Sequence, residues 1–112
     1  MKSSSTGLLV LQDAAAANGN GALYALTGCT AAIICVSGTF TADVHIEVTS
    51  DGNIWHEIAV RDLTTTNSSD KVKKLTGVAL VKAEHIGGAL YLRARVDAYS
   101  SGAVTVRANG HA

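Results

Sequence analysis

The segment Phe40-Thr41-Ala42-Asp43-Val44-His45-Ile46-Glu47-Val48-Thr49, followed by Ser50-Asp51-Gly52-Asn53-Ile54-Trp55, decides the fold. Phe40, Ala42, Val44, Ile46 and Val48 share one parity, and Thr41, Asp43, His45, Glu47 and Thr49 share the other. Side chains alternate across a strand, so this is a half-buried strand with an apolar and a polar face. Ser50-Asp51-Gly52 then signals a hairpin, because Gly supplies the positive φ that a tight turn needs. Two registers fit. A two-residue turn places Trp55 opposite Val48, facing the core. A three-residue turn with a bulge at Gly52 places Ile54 opposite Val48, turns Ile58 and Val60 inward and leaves Trp55 outward. The second buries more apolar surface and is favoured, although one residue of slip reverses every face.

Working outward, the same alternation returns in Leu90, Leu92, Ala94 and Val96, with Tyr91, Arg93, Arg95 and Asp97 on the other parity. Tyr99-Ser100-Ser101-Gly102 turns into a last strand carrying Val104 and Val106. The expected core is Val44, Ile46, Val48, Leu90, Leu92, Val96, Val104 and Val106. Ala31 to Val36 is a continuous apolar run that suits a strand buried on both faces. Leu8 to Leu11, residues 23–26 and Leu75 to Ala83 supply further short strands. Ala14 to Ala17 has a helical tendency that Asn18-Gly19-Asn20-Gly21 stops at once, so it reads as a loop. Arg61 to Lys74 is polar and reads as an exposed loop. The sum is an all-β chain: a single jelly-roll-like antiparallel β-sandwich of about eight short strands over residues 7–112, preceded by a flexible amino-terminal arm, residues 1–6.

Composition agrees. The chain has 112 residues, the usual size of one domain, and 47% of them are hydrophobic, enough for a core. Aromatics are only 4%, so Ala, Val, Leu and Ile must fill that core. With no proline and 11 glycines, the turns must rely on Gly, Asn, Asp and Ser. Nine cations balance nine acids, which argues against a nucleic-acid partner, since phosphate binding calls for a basic excess. No stretch reaches the ~20 apolar residues of a membrane helix, and the run after Met1-Lys2 is too short for a secretory signal. Synthesis in a cytoplasm, without export by a cleaved signal, is expected.

Candidate chemistry is sparse. His45 and His56 flank one hairpin, and Glu47 or Glu57 could add a ligand, but two surface histidines explain the pattern better than a metal does. Cys29 and Cys35 on one extended strand would lie about 20 Å apart, beyond disulfide reach. Buried free thiols are the favoured reading, with an intermolecular disulfide as the alternative. No nucleophile elbow or phosphate-cradling glycine loop occurs, so no catalytic residue and no cofactor is assigned, and no enzyme is expected. Asp51 is explained by its turn. The Asp70-Lys71-Val72-Lys73-Lys74 cluster is a solvated loop or a docking patch. Tyr91, Arg93 and Arg95 alternate on one face, which is either a subunit contact or an exposed sheet face with charge pairs to Asp97 or Glu47. Trp55, if outward, anchors an interface or stacks on a sugar.

The order Ser37-Gly38-Thr39-Phe40, then Ser50-Asp51-Gly52 with Trp55, then Tyr91-Leu92-Arg93-Ala94-Arg95-Val96, then Ala98-Tyr99 with Ser101-Gly102, resembles a β-sandwich module of tailed-bacteriophage virions. It covers about two-thirds of the chain. The alanine-rich amino-terminal third and the two cysteines depart from it. The small size looks most like a capsid decoration (cement) protein. The resemblance implies a virion location on the capsid surface, contacts to major capsid subunits and commonly a homotrimer. Leu8, Val10, Trp55, Tyr91, Arg93 and Arg95 are the expected interface residues, Leu8 and Val10 because an amino-terminal arm can order by adding a strand to a partner. The alternatives are a tail, head-fibre or baseplate component binding host glycans, and a free carbohydrate-binding module.

Overall fold

A computed structural model describes residues 8–64 and 71–112. Its strands are β1 Leu8–Ala15, β2 Tyr24–Ala25, β3 Ala31–Ser37, β4 Phe40–Thr49, β5 His56–Glu57, β6 Val60–Asp62, β7 Lys71–Val72, β8 Ala79–Ala83, β9 Tyr91–Gly102 and β10 Val104–His111. They form two antiparallel sheets, one of order β1-β10-β3-β8-β6-β7 and one of order β2-β9-β4-β5. The chain is therefore an all-β sandwich. No described helix is long and apolar enough to cross a membrane.

The alternating segments do what their parity requires. β4 and β9 pair along most of their length, with Val44 opposite Val96, Ile46 opposite Ala94 and Val48 opposite Leu92. These side chains face Ile34, Val36, Val81, Val104, Val106 and Ala108 of the six-stranded sheet, all fully buried. Small and β-branched residues let two pleated surfaces approach closely, so the core closes with few aromatics. Three inter-sheet ties are polar. The Gln12 amide donates to the Gly19 carbonyl at 3.1 Å and to the Ala94 carbonyl at 2.7 Å, linking β1 to β9. The Gly110 amide donates to the Tyr24 hydroxyl at 2.7 Å, linking β10 to β2. At the other end Gly38 and Gly102 both have positive φ, and a Cβ on either would strike the facing backbone, at Ala103 and Thr39 respectively. Only glycine lets these two turns stack.

Several expectations need correction. Ten strands form where about eight are expected, because the polar 61–74 stretch contributes to β6, which pairs with β8, and to β7, which pairs with β6. β1 runs on through Ala14, which takes φ 50° and distorts the pairing to β10 instead of forming a loop. β3 is buried on one face only: Ile33 and Cys35 point outward. Cys29 is buried and Cys35 exposed, and both are free thiols. Leu90 is 47% exposed and leaves the expected core, since it precedes β9 at the sheet end and only its backbone is tied, to Thr49 and Leu26. The β4–β5 hairpin follows neither expected register. Val48 pairs with His56 and Glu47 with Glu57, so a longer loop intervenes and Ile54 is 57% exposed. Ile58 and Val60 do turn inward, and Trp55 outward, as the favoured register required. Residues 1–6, the expected arm, lie outside the described residues.

Candidate interaction surface

The polar parity of β4 and β9 makes the outer face of the four-stranded sheet. Register sets Asp43 opposite Asp97, His45 opposite Arg95 and Glu47 opposite Arg93. Glu47 is the hub. One carboxylate oxygen accepts from Arg93 Nε at 2.8 Å and the other from Arg95 Nε at 2.9 Å, in a residue only 7% exposed. Burial alone would raise this carboxyl, but the hydrogen bonds and charges of Arg95 and Arg93 outweigh it and hold the group below the ordinary carboxylate range. The Arg95 guanidinium is correspondingly raised, first by its bond to Glu47, against partial desolvation. Around this hub His45 Nδ1 meets Glu57 Oε2 at 3.0 Å, and Arg95 Nη1 lies 3.4 Å from Asp97. Lys74 approaches Asp43 at 3.8 Å.

The loop after β4 completes the face. Thr49 Oγ1 donates to Asp51 Oδ1 at 3.1 Å and accepts from the Gly52 amide at 2.9 Å. Asp51 Oδ1 in turn accepts the amides of Asn53 at 2.8 Å and Ile54 at 2.9 Å. Those two backbone bonds, Ile54 first, lower the Asp51 carboxyl. Gly52 turns at φ 81°. The folded-back loop buries Thr49 completely and lays the Trp55 ring over Arg93, with the guanidinium carbon 4.1 Å from the ring centroid. Arg93 is thus held between an indole and a carboxylate, a planar cation stacked and hydrogen-bonded at once.

The structure therefore brings together Trp55, Tyr91, Arg93 and Arg95, with Tyr91 exposed beside Thr49 and Ala25 in the ladders. It does not bring Leu8 and Val10 to them. These sit on β1, the edge of the other sheet, where Val10 pairs with Arg107 and is exposed. Of the two readings of the Tyr-Arg face, the exposed sheet face with charge pairs is the one seen: Arg93 and Arg95 pair with Glu47, and Arg95 with Asp97. Sequence reasoning missed the ion pair of Glu57, because Glu57 reaches His45 only through the β4–β5 register, whereas Asp51 serves its turn as expected. No group of three His, Cys, Asp or Glu able to hold a metal occurs among the described residues, and His45 is engaged by Glu57 rather than His56. A separate open cleft of about 420 Å³ lies at the sandwich end, with Val48, Ile58, Ile86 and Ala89 against Ser50, His56 and His85.

No family model matches the sequence, and no curated protein does. Among solved structures, the crystal structure of the SPBc2 prophage-derived protein YomS matches with a TM-score of 0.82. It covers 95% of this chain and 91% of that chain at 14% identity. The two chains share a fold. β1 and β2, which lie in the amino-terminal third that departs from the virion-module pattern, belong to the same two sheets as the rest.

Proposed function

We propose that this chain is a phage-encoded structural protein of the virion that decorates the capsid and stabilises it by binding neighbouring capsid subunits, without catalysis. The fold it shares with a prophage-derived protein supports the phage setting. The observation that carries the reading is the outer face of the four-stranded sheet, where Glu47 cross-links Arg93 and Arg95 and Trp55 caps the arrangement. Arg and aromatic residues recur at the centres of protein interfaces. Here they are already immobilised, so less side-chain entropy is lost on docking. Glu47 has both oxygens committed to guanidinium groups, which suits a scaffold. Many such modest contacts repeated over a lattice act together through multivalency.

The test is to add purified protein to shells assembled without it. Saturable co-sedimentation and a higher rupture temperature support the reading. Shells that neither bind the protein nor gain stability overturn it.

A further inference from the structure

The outer face of the four-stranded sheet balances its own charge. Glu47 pairs with Arg93 and Arg95, Asp97 with Arg95, Glu57 with His45 and Asp43 with Lys74. The outer face of the six-stranded sheet does not. Its register sets Lys82 beside Arg61 and Arg61 beside Lys71, three cations in one row across β8, β6 and β7. The next row runs Val10, Arg107, Cys35 and Leu80 across β1, β10, β3 and β8, and adds a fourth. Arg61 is held by Glu84 at 3.0 Å, whereas Lys71, Lys82 and Arg107 have no acidic partner among the described residues. Setting Glu84 and Asp13 of β1 against these four cations still leaves the face positive. Its middle is apolar. β3 and β8 are the two central strands of this sheet, and their outward positions include Ile33, Cys35 and Leu80. Val10 and Leu80 are more than a third exposed. A single exposed apolar residue needs no explanation, but these are neighbours through the register and are flanked by cations, which is the make-up of a docking surface.

We propose that this second face docks on an acidic surface of a capsid subunit, with Lys82 and Arg107 meeting its carboxylates and Cys35 and Leu80 its apolar centre. The inference rests on the capsid reading above and adds to it a contact of different chemistry on the opposite side of the sandwich, so that one chain spans two neighbouring subunits. Charge complementarity selects this occupant. A second copy docked by the same face would set cations against cations, and the four-stranded face has no spare acid to offer. The two rows contain no Phe, Tyr or Trp on which nucleic-acid bases could stack, and their aliphatic residues suit a dry protein contact instead.

Alkylation of exposed Cys35 by iodoacetamide reads the contact directly, with buried Cys29 as the internal reference. When the full chain is bound to shells assembled without it, Cys35 should lose most of the reactivity it has in free protein. Lys82→Glu with Arg107→Glu should weaken shell binding by at least about tenfold. Binding of the unaltered chain should weaken as salt rises from about 0.05 M to about 0.5 M, where the Debye length becomes short. Lys82→Gln with Arg107→Gln takes the place of the reversal if thermal unfolding shows that the reversed chain does not fold. Vesicles of phosphatidylserine and phosphatidylcholine should leave Cys35 reactive. Shells that bind the unaltered chain while Cys35 stays reactive, or that hold the folded charge variant as tightly, overturn this inference and leave the capsid reading standing. Protection of Cys35 by the vesicles assigns the face to a lipid surface and overturns it as well. Shells that bind no unaltered chain overturn the capsid reading and this contact with it.

Discussion

The Arg93 guanidinium lies 4.1 Å from the centroid of the Trp55 ring while its Nε donates to Glu47 at 2.8 Å. One side chain thereby ties the hairpin loop to the centre of the four-stranded sheet. Removing either partner should loosen the face without unfolding the sandwich, whose core lies on the other side of β4 and β9. Trp55→Ala is expected to cost about 1–2 kcal/mol, the range of a partly desolvated cation–π contact. Arg93→Ala should shift Trp55 fluorescence to the red as the ring meets water. An unchanged spectrum and stability would show that the stack does not persist in solution.

Glu47 gives a pH signature. Its folded pKa lies below its unfolded value, so its contribution to stability is present above the unfolded carboxylate range and is lost as pH falls through the folded pKa. Denaturant unfolding of the native chain should therefore lose stability on acidification below about pH 4.5. Glu47→Gln should lower stability at neutral pH, because two guanidinium groups lose their anion, and should flatten that acid limb. A variant with the same acid slope as the native chain would remove Glu47 as its source.

The Tyr24 hydroxyl accepts from the Gly110 amide at 2.7 Å within the core. Tyr24→Phe strands that amide and is expected to cost about 1–3 kcal/mol. Gly110→Ala places a methyl 2.8 Å from Cys29 Sγ and 3.1 Å from the Tyr24 ring, so overpacking of about 1–3 kcal/mol should follow. Equilibrium unfolding of both variants checks the tie.

Core truncations separate the two kinds of leucine. Leu92→Ala and Ile46→Ala remove buried side chains and should each cost about 2–5 kcal/mol. Leu90→Ala, on an exposed residue at the sheet end, should stay within about 0.5 kcal/mol. Comparable losses at Leu90 and Leu92 would contradict the register of β9.

Strand alternation made the β4–β9 pair and most of its core legible in the sequence, because period two is a local property that burial reinforces. The outward placement of Trp55 was legible for a different reason: it followed from turning Ile58 and Val60 inward. What stayed hidden depends on distant partners. β6 and β7 are too short and polar to show a period, and they exist because β6 pairs with β8 and β7 with β6. Leu90 has the right parity but sits one residue outside the strand. The hairpin register rests on Thr49 and Asp51 side chains bonding the loop backbone, a local competition that turn rules for two or three residues do not contain. Leu8 and Val10 join the expected interface through strand addition by the arm, whereas sheet order puts them on the layer opposite Trp55.

The central claim is the proposed virion role, and a density map of purified particles of the phage proposed to encode this chain tests it most directly. The account predicts this sandwich as discrete density on the outer capsid surface, in contact with neighbouring capsid subunits. A map with the sandwich absent from the capsid, or seated only at the tail tip, would contradict it.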